Sequence, residues 1–304
     1  MVRMTVLASG SRGNSTIVSS SKTRILLDAG LSCRELMKRM RAANEDPATL
    51  DAILITHEHQ DHVQGLSVLA RKLNIPVYFT EATHRAWVRW ITPSKKITYA
   101  QWLEMQAAEK ARALESEGRQ PSESEPDCEP EQEKDYTSLP AVEYFRAGCD
   151  FSIGDIEIFP FTIPHDAADP TGFVFRAEGV RIGIATDLGY MPPNVRLALR
   201  NADVLMLESN HDLEMLRDGP YPWSVKQRVL SRVGHLSNDS VAQFLTKEYD
   251  GGAAYVVLAH LSAQNNLPEL ARLSAERALG TRMSLLANRL VLAGQDAPTE
   301  AIYV

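Results

Sequence analysis

Three histidines and one aspartate lie close together in the stretch LDAILITHEHQDHVQG, residues 50–65: His57, His59, Asp61 and His62. They directly follow AILIT, a run of apolar and β-branched residues that predicts a strand. Two histidines that are two positions apart at the exit of a strand can converge on one metal ion. The aspartate and the third histidine can turn towards a second ion. Imidazole and carboxylate ligands are typical of zinc, manganese or iron sites, whereas a cysteine-rich set would indicate structural zinc.

Three further candidates occupy the same kind of position later in the chain. His165 follows an apolar run in FTIPHDAADPTG, Asp187 follows one in RIGIATDLGYM, and His260 follows one in YVVLAHLSAQNN. A single histidine or aspartate at the end of a strand is often structural. Together with the first four residues, however, these three complete a set of seven ligands, which is sufficient for two metal ions.

Short β-like runs alternate with helical stretches along the chain, which predicts an α/β architecture with helices covering the faces of sheets. The runs that end close to the candidate site residues are the predicted strands Ala52–Thr56, Ile156–Ile163, Arg181–Thr186, Val204–Glu208 and Ala254–Ala259. Among the predicted helices are Pro222–Val233 and Ser237–Tyr249. The second of these begins with a capping signal at Ser237 or Asn238.

The composition limits the class of protein. With 304 residues, of which 44% are hydrophobic, the chain can bury the core of one large domain or of two fused half-domains. The first residues turn polar too early for a signal peptide, and no apolar run approaches the roughly 20 residues of a membrane-spanning helix. The three cysteines form no C-x-x-C pair, which indicates reduced thiols. These features predict a cytoplasmic protein that does not associate with membranes.

The formal net charge of −7 originates from one segment of the chain. Residues 101–135 contain eleven acidic and four basic residues, so the rest of the chain is neutral and need not repel an anionic substrate. After a helix-forming start, YAQWLEMQAAEKARALE, the segment is rich in Pro, Ser, Gly and Glu and poor in apolar residues. We therefore predict an acidic insertion over residues 101–138 that is partly helical and partly disordered.

Several longer motifs together resemble those of one enzyme superfamily. They are LASGSRGNSTIV, LLDAGLS, ITHEHQDHVQGL, PHDAADPTGFVF, GIATDLGYM, LESNHDLEML, YPWSVKQRVLSRVGHLSND and LAHLSAQNNLPELA. With these motifs the chain resembles the metallo-β-lactamase-fold hydrolases and, among them, the YycJ/WalJ (VicX) exonuclease family. The resemblance implies one αββα sandwich domain over residues 1–304, with residues 101–138 as an insertion. It also implies a 5′-to-3′ exonuclease that acts on DNA ends, consistent with a role in DNA repair.

The resemblance further implies a dinuclear site that holds two divalent ions, zinc or manganese. Carried onto this sequence, each ion takes three ligands: His57, His59 and His165 for the first ion, and Asp61, His62 and His260 for the second. Asp187 would bridge the two ions. Asp61 would also act in catalysis, because a carboxylate beside the attacking water can orient it or accept its proton.

A pair of residues outside the ligand set indicates the reaction class. Glu208 lies in LMLESNHD and His235 in RVGHLSN. A similar Glu–His pair occurs in phosphodiesterases of this fold, including the tRNA 3′-processing nucleases, where the histidine helps to protonate the leaving oxygen and the glutamate orients the histidine. Hydrolases of the glyoxalase type generally lack the pair. His211 lies close by in sequence, and a hydrogen bond to a ligand or to Asp212 is its expected contact.

Candidate phosphate contacts lie in two loops. SGSRGNS, residues 9–15, offers Ser9, Ser11 and Asn14 among flexible glycines, and HLSAQNN offers Ser262 and Asn265 directly after a predicted ligand. Basic residues that could follow a nucleic-acid backbone are Arg12, Arg217, Lys226, Arg228 and Arg232. Tyr221 and Trp223 are candidates for stacking on bases.

Three other functions compete with that of a DNA exonuclease. A thioester or lactone hydrolase of the glyoxalase type would share the metal ligands. An RNA-processing nuclease is less favoured, because the chain lacks the large domain that RNA-processing β-CASP nucleases insert between their later motifs. A regulatory protein with a purely structural metal site is disfavoured by the completeness of the ligand set.

Overall fold

The computed structural model describes residues 1–92, 137–280 and 289–304. The chain divides into two compact units, Met1–Trp87 together with Ser138–Val304, and Val88–Thr137. The predicted acidic insertion, residues 101–138, lies outside the described residues except for its last two positions. That residues 1–304 form a single domain with this insertion stays a prediction.

The described part of the larger unit contains two sheets. Its strands, in chain order, are Arg3–Ala8 (β1), Ser15–Ser19 (β2), Arg24–Leu27 (β3), Ala52–Leu54 (β4), Val77–Phe79 (β5), Val142–Tyr144 (β6), Phe151–Ile153 (β7), Ile156–Thr162 (β8), Thr171–Ala177 (β9), Val180–Ala185 (β10), Val204–Glu208 (β11), Tyr255–Ala259 (β12), Arg289–Leu292 (β13) and Ile302–Tyr303 (β14). One sheet has the order β14-β1-β2-β3-β4-β5-β6, and the other has the order β13-β12-β11-β10-β9-β8-β7.

Each sheet combines antiparallel and parallel strands. Strands β1 to β3 are antiparallel neighbours, and β3 to β6 are parallel neighbours. In the second sheet β7 to β10 are antiparallel, whereas β10 to β13 are parallel. Because parallel strands end at the same edge of a sheet, the residues that follow β3 and β4, and those that follow β10, β11 and β12, share an edge of their sheet.

The helices alternate with the strands, as the sequence predicts. Among the described residues they are Cys33–Ala42 (α1), Gln60–Val63 (α2), Leu66–Leu73 (α3), Glu81–Ile91 (α4), Pro193–Ala198 (α5), Leu213–Asp218 (α6), Trp223–Val229 (α7), Asn238–Lys247 (α8) and Pro268–Leu279 (α9). The predicted cap of α8 is confirmed, because the Ser237 side chain accepts a hydrogen bond from the backbone N–H of Ser240.

The main core lies between the two sheets. Apolar side chains of the first sheet, such as Val6 and Leu54, join those of the second sheet, such as Phe173, Ile184 and Met206, in one buried cluster. Alternate residues of a strand point to opposite faces, so each sheet also presents a second apolar face to helices. The burial of this apolar surface is the main force that holds the sheets together.

Helices cover the outer face of each sheet. On the second sheet, Val195 of α5, Phe244 of α8 and Ala271 of α9 form a buried cluster with strand residues such as Leu205. On the first sheet, α1 contacts both β1 and α3. The resulting layers are helix, sheet, sheet and helix, so the predicted αββα sandwich is confirmed.

The backbone turns sharply where the chain leaves three of the strands. Asp28 after β3, Asp187 after β10 and His260 after β12 have φ angles of 61°, 60° and 54°. Positive φ is uncommon for residues other than glycine, although Asp and His are among the side chains that are enriched there. Such conformations cost free energy and persist where the surrounding structure enforces them, often at functional sites.

The sequence predicts which helices and strands form more accurately than it predicts the residues at which they end. The predicted helix Pro222–Val233 is too long, since α7 stops at Val229 and the chain turns before Gly234. The turn is closed by the N–H of Gly234, which donates to the carbonyl oxygen of Ser231. No helix among the described residues is long and apolar enough to cross a membrane.

Candidate metal centre

Three histidine side chains meet at the edge of the sandwich. His57 and His59 follow β4, and His165 follows β8. The His59 Nδ1 atom lies 3.1 Å from His57 Nε2 and 3.3 Å from His165 Nε2. The nitrogen atoms of these three predicted ligands of one ion therefore converge on one point.

The other nitrogen of two of these rings has a protein partner. His57 Nδ1 lies 3.0 Å from the hydroxyl oxygen of Thr56, and that hydroxyl lies 2.9 Å from Asp28 Oδ2. The Thr56 hydroxyl can donate its own proton to the Asp28 carboxylate and accept a hydrogen bond from Nδ1–H of His57. His57 then carries its lone pair on Nε2. His165 Nδ1 is 3.3 Å from the carbonyl oxygen of Gly234, which fixes the same tautomer there.

A second group of candidate ligands lies beside the first. Asp61 and His62 belong to α2, and His260 follows β12. Asp61 Oδ2 lies 3.5 Å from His62 Nε2 and 3.7 Å from His260 Nε2. His62 Nδ1 donates to Asp28 Oδ2 at 2.7 Å, so its Nε2 faces the group.

Asp187 lies between the two groups. Its Oδ2 atom is 3.6 Å from His62 Nε2, and its Oδ1 atom is 3.1 Å from His260 Nδ1. Ligand atoms of Asp187, His57 and His62 also all lie within 4.8 Å of one another. Asp187 is thus close to a histidine of each group, as a bridging ligand must be.

The donor set fits divalent metal ions. Asp187 Oδ2 and His260 Nε2 are buried and have no hydrogen-bond partner among the described residues, which is costly unless something else binds them. For a tetrahedral site with metal–nitrogen bonds of about 2.0–2.1 Å, neighbouring nitrogens lie roughly 3.3 Å apart. The observed spacings of 3.1 and 3.3 Å agree with that value. The cluster is suited to a divalent metal.

The charges of the site favour a cation. Burial lowers the pKa of His62, but the carboxylates of Asp28, Asp61 and Asp187 outweigh burial and raise it to about 9. Burial also lowers the pKa of His57 well below its ordinary value, and the neighbouring histidines lower it further. A neutral His57 can offer a lone pair, while the carboxylates around His62 supply the negative charge that a divalent ion would balance.

Glu208 and His235 form the predicted pair. Glu208, at the end of β11, is completely buried. Its Oε1 atom accepts hydrogen bonds from His235 Nδ1 at 2.7 Å and from His260 Nδ1 at 2.8 Å. Its Oε2 atom accepts the backbone N–H groups of Leu188 and Leu236, each at 3.0 Å. The glutamate therefore fixes two histidines at once.

The electrostatics of the pair favour a charged imidazole. Burial lowers the pKa of His235, but the Glu208 carboxylate raises it above its ordinary value. Burial raises the pKa of Glu208, but His235 and His260 together outweigh burial and lower it below its ordinary value, so the carboxylate stays ionised. His235 Nε2 remains available to a substrate, since Nδ1 is bound to Glu208 and the side chain is 22% exposed.

A cavity of about 250 Å³ opens onto the cluster. Its lining includes site residues such as His59, Asp61, Asp187 and His235, polar residues at Ser11, Asn210 and Ser262, and a further set at Tyr221, Val225, Arg228 and Val229. The cavity therefore gives access both to the candidate metal ligands and to the Glu208–His235 pair.

The predicted phosphate contacts fall into two groups. Ser11 and Ser262 line the cavity. Ser9 is buried, and its hydroxyl accepts the backbone N–H of His260 at 2.7 Å. Asn14 Nδ2 lies 3.1 Å from Asp61 Oδ2, and Asn265 donates to Ser262 Oγ rather than facing the cavity. Ser9 and Asn14 thus hold candidate ligands in place.

Asp28 is a site residue that sequence reasoning did not assign. It is buried, accepts the backbone N–H and the hydroxyl of Thr56, and binds His62 Nδ1. Its sequence signal is its position in LLDAGLS, one of the motifs that carry the family resemblance, directly after the apolar residues Ile25–Leu27. Gly30, two residues later, lets the chain pass the site, because a Cβ there would lie 1.7 Å from the carbonyl oxygen of Asp61.

His211 does not make the contact that its sequence position suggests. Its ring is buried, and neither ring nitrogen has a hydrogen-bond partner among the described residues. Burial lowers its pKa to about 4. The expected bond to Asp212 is absent in this structure, because the Asp212 side chain instead caps α6 by accepting the N–H groups of Glu214 and Met215.

We expect Asp28→Asn to weaken metal binding by about 10–100-fold, the usual effect of removing a carboxylate that orients a histidine ligand. Competition with a chromophoric chelator measures this affinity. Asp51→Asn is the matched control, because Asp51 is an exposed carboxylate that precedes β4 and accepts the backbone N–H of Arg24. Equal metal affinity in Asp28→Asn and the unaltered protein would contradict the orienting role.

The comparisons with known proteins agree with this geometry. Residues 23–261 match the family described as the beta-lactamase superfamily domain. Exodeoxyribonuclease YycJ of Bacillus anthracis is 34% identical over 278 residues, which cover 91% of this chain and 89% of that protein. Exodeoxyribonuclease WalJ of Streptococcus pneumoniae serotype 2 (strain D39) is 35% identical over 272 residues, which cover 90% and 86% of the two chains.

Solved structures support the same fold. The metallo-beta-lactamase fold protein YhfI from Bacillus subtilis superposes with a TM-score of 0.63 at 16% sequence identity, covering 99% of this chain and all of that one. At this level of identity the likeness concerns the fold alone. The chain belongs to the beta-lactamase superfamily and, within it, to the family of the YycJ and WalJ proteins.

Proposed function

We propose that this protein is a metal-dependent phosphodiesterase that removes nucleotides from DNA ends. The observation that carries the proposal is the Glu208–His235 pair, which lies in the same cavity as the candidate metal ligands and offers His235 Nε2 to a substrate. The relatives named exodeoxyribonuclease support DNA as the substrate, and 5′-to-3′ is the polarity we propose. A role in DNA repair in the cytoplasm is consistent with this activity.

Seven side chains would hold two ions, zinc or manganese. They are His57, His59 and His165 for one ion, Asp61, His62 and His260 for the other, and Asp187 between them. When bound, the ions supply Lewis-acid stabilisation of the phosphate charge and a lower pKa for the attacking water. The side chains of the protein carry out the proton transfers of the reaction.

Asp61 and His235 would move protons on opposite sides of the phosphate. Asp61 is ionised, since His62 and His260 lower the pKa of its carboxyl group against the effect of burial. It can therefore orient the attacking water or accept its proton. His235, whose protonated form Glu208 favours by raising the pKa of the ring, can donate a proton from Nε2 to the leaving oxygen. Ser11 and Ser262 line the cavity and can donate to the phosphate oxygens.

A thioester or lactone hydrolase is the competing function. Such substrates carry no phosphate, and a thiolate leaves without a strong acid, so a thioesterase has little use for the Glu208–His235 pair. A panel of substrates separates the functions: 5′-phosphorylated single-stranded and duplex DNA, the matching RNA, and a thioester. Each is assayed with metal-free protein to which zinc or manganese is added, while metal content is measured by elemental analysis.

We expect two ions per chain and release of mononucleotides from DNA, with slower cleavage of RNA and of the thioester. Labels at the 5′ and the 3′ end report the polarity of digestion. Preferred hydrolysis of the thioester, with DNA left intact, would contradict the proposed function. Preferred cleavage of RNA would assign the protein to the RNA-processing nucleases.

A further inference from the structure

One side of the active-site cavity is formed by a segment that has little share in the core. Tyr221, Val225, Arg228 and Val229 line the cavity, and they belong to α7 or directly precede it. No residue of α7 is buried. Val225 remains 38% exposed although it faces the cavity. We call Tyr221, Val225, Arg228 and Val229 the cavity wall.

Polar contacts, rather than core burial, hold the cavity wall in place. Arg228 Nε donates to Asp166 Oδ2, and Asp166 directly follows the candidate ligand His165. The backbone N–H of Asp166 donates to the carbonyl oxygen of Val233 at 3.2 Å. The N–H of His235 donates to the carbonyl oxygen of Val229 at 3.0 Å. The wall is thus fixed relative to both a ligand and the proton donor.

The turn after α7 is fixed from a second direction. It packs so closely on Gly189 that a Cβ at this glycine would lie 2.4 Å from the carbonyl carbon of Arg232. Gly189 itself is two residues from Asp187. The apolar side chains of this segment stay exposed and add nothing to the core, although the segment is fixed firmly against the site. A ligand that covers them explains this arrangement better than folding does.

The position of His235 indicates which part of a substrate meets the wall. The proton donor must lie beside the leaving oxygen, and His235 continues the same segment that carries the wall. A group attached to the leaving oxygen would therefore be next to the cavity wall, which includes Tyr221 and Val225. In a nucleic acid this group is a sugar with its base, whose apolar faces suit an aromatic ring and a branched aliphatic side chain.

Arg228 adds charge complementarity to the wall. Its ion pair with Asp166 uses Nε, and a guanidinium has further N–H donors in a planar fork. These donors can reach a phosphate next to the scissile one, which a thioester substrate would not have. An apolar surface interrupted by one arginine is typical of a subsite for a nucleotide within a strand.

We propose that the cavity wall is the subsite for the nucleotide on the leaving-group side of the scissile phosphate, with Tyr221 stacking on its base. This inference rests on the proposed phosphodiesterase function. It predicts that the enzyme requires a base at that nucleotide.

The test compares 5′-phosphorylated single-stranded oligodeoxynucleotides that differ by one abasic nucleotide, placed on either side of the scissile linkage. For the unaltered enzyme, an abasic nucleotide on the leaving-group side should lower kcat/KM about 5- to 100-fold, the usual worth of one stacked base. Tyr221→Ala should show the same loss with the normal strand and no further loss with the abasic one. Tyr221→Phe should behave like the unaltered enzyme.

Two controls separate stacking from general damage. An abasic nucleotide on the other side of the linkage should affect the unaltered enzyme and Tyr221→Ala equally. Tyr303→Ala removes an exposed aromatic ring beside Arg3, at the opposite end of β1 from Ser9, and should change nothing. Anisotropy of a fluorescent oligonucleotide, measured with chelator present, should show weaker binding to Tyr221→Ala.

The outcomes distinguish this inference from the proposed function. If the unaltered enzyme cleaves DNA but ignores the abasic nucleotide, or if Tyr221→Ala still discriminates fully against it, the subsite is wrong and the nuclease stands. If the unaltered protein cleaves none of the DNA substrates, the proposed function fails and the subsite fails with it.

Discussion

Asp187→Ala is expected to lower the metal content from two ions per chain towards one or none and to abolish detectable hydrolysis. Asp187 is the residue whose carboxylate lies near histidines of both ligand groups, and its Oδ2 atom is buried without a hydrogen-bond partner among the described residues. Lewis-acid stabilisation by bound metal is worth several kcal/mol, so its loss should slow hydrolysis by at least about 10²–10³-fold.

A second variant is needed because Asp187 has a positive φ angle. With φ at 60°, alanine is strained there, and the alanine variant could lose metal through a distorted turn rather than a lost ligand. Asparagine tolerates positive φ and keeps one oxygen but removes the charge. We expect Asp187→Asn to retain the unaltered melting temperature of the metal-free protein and still to lose one ion.

Elemental analysis and a DNA cleavage assay check this expectation. Asp203→Ala is the matched control, because Asp203 precedes β11, at the other edge of the same sheet, and accepts the backbone N–H of Arg181. Two tightly bound ions in both Asp187 variants would contradict the bridging assignment.

The sequence was sufficient to predict the candidate ligands because their chemistry is rare and their positions share one rule. Three histidines and one aspartate lie within six residues at His57–His62. Parallel strands bring their ends to one edge of a sheet, so Asp187 and His260 could be expected to meet, and the family resemblance joined them to this cluster. The αββα layers followed from the alternation of strands and helices together with the family resemblance. Neither inference depends on the exact end of any element.

The residues that orient the ligands could not be predicted in the same way. Asp28, Thr56 and Asn14 are ordinary polar residues whose role depends on partners that are distant in sequence, such as His62 and Asp61. Ser9 looked like a phosphate contact because it lies in a glycine-rich loop. Its hydroxyl instead accepts the N–H of His260, a pairing that only the three-dimensional fold creates.

The end of α7 was missed for a related reason. VKQRVLSRV has the composition of a continuing helix, so helix propensity extends it to Val233. The helix ends at Val229. The carbonyl oxygen of Val229 accepts the N–H of His235, and that of Val233 accepts the N–H of Asp166. Tertiary contacts at the site outweigh local propensity there, and they bring His235 to Glu208.

His235→Ala is expected to lower turnover on DNA by about 10²–10⁴-fold, the usual worth of general acid catalysis, while both metal ions stay bound. The leaving oxygen of a phosphodiester needs a proton, and His235 is the histidine that Glu208 holds with Nε2 directed to the cavity. A nitrophenyl phosphodiester has a leaving group that needs no proton, so its hydrolysis should be much less affected. His84→Ala, at a partly buried histidine bound to Tyr144, is the control.

Glu208→Gln gives a different pattern, because the same carboxylate oxygen accepts from His235 and from His260. The glutamine variant should therefore lose turnover on DNA and also bind metal more weakly, whereas His235→Ala should change only the first. Parallel measurement of turnover on both substrates and of metal content separates the two effects. If His235→Ala slows the nitrophenyl substrate as much as DNA, or empties the metal site, His235 is a ligand or a structural residue rather than the proton donor. The argument against a thioesterase would then lose its main support.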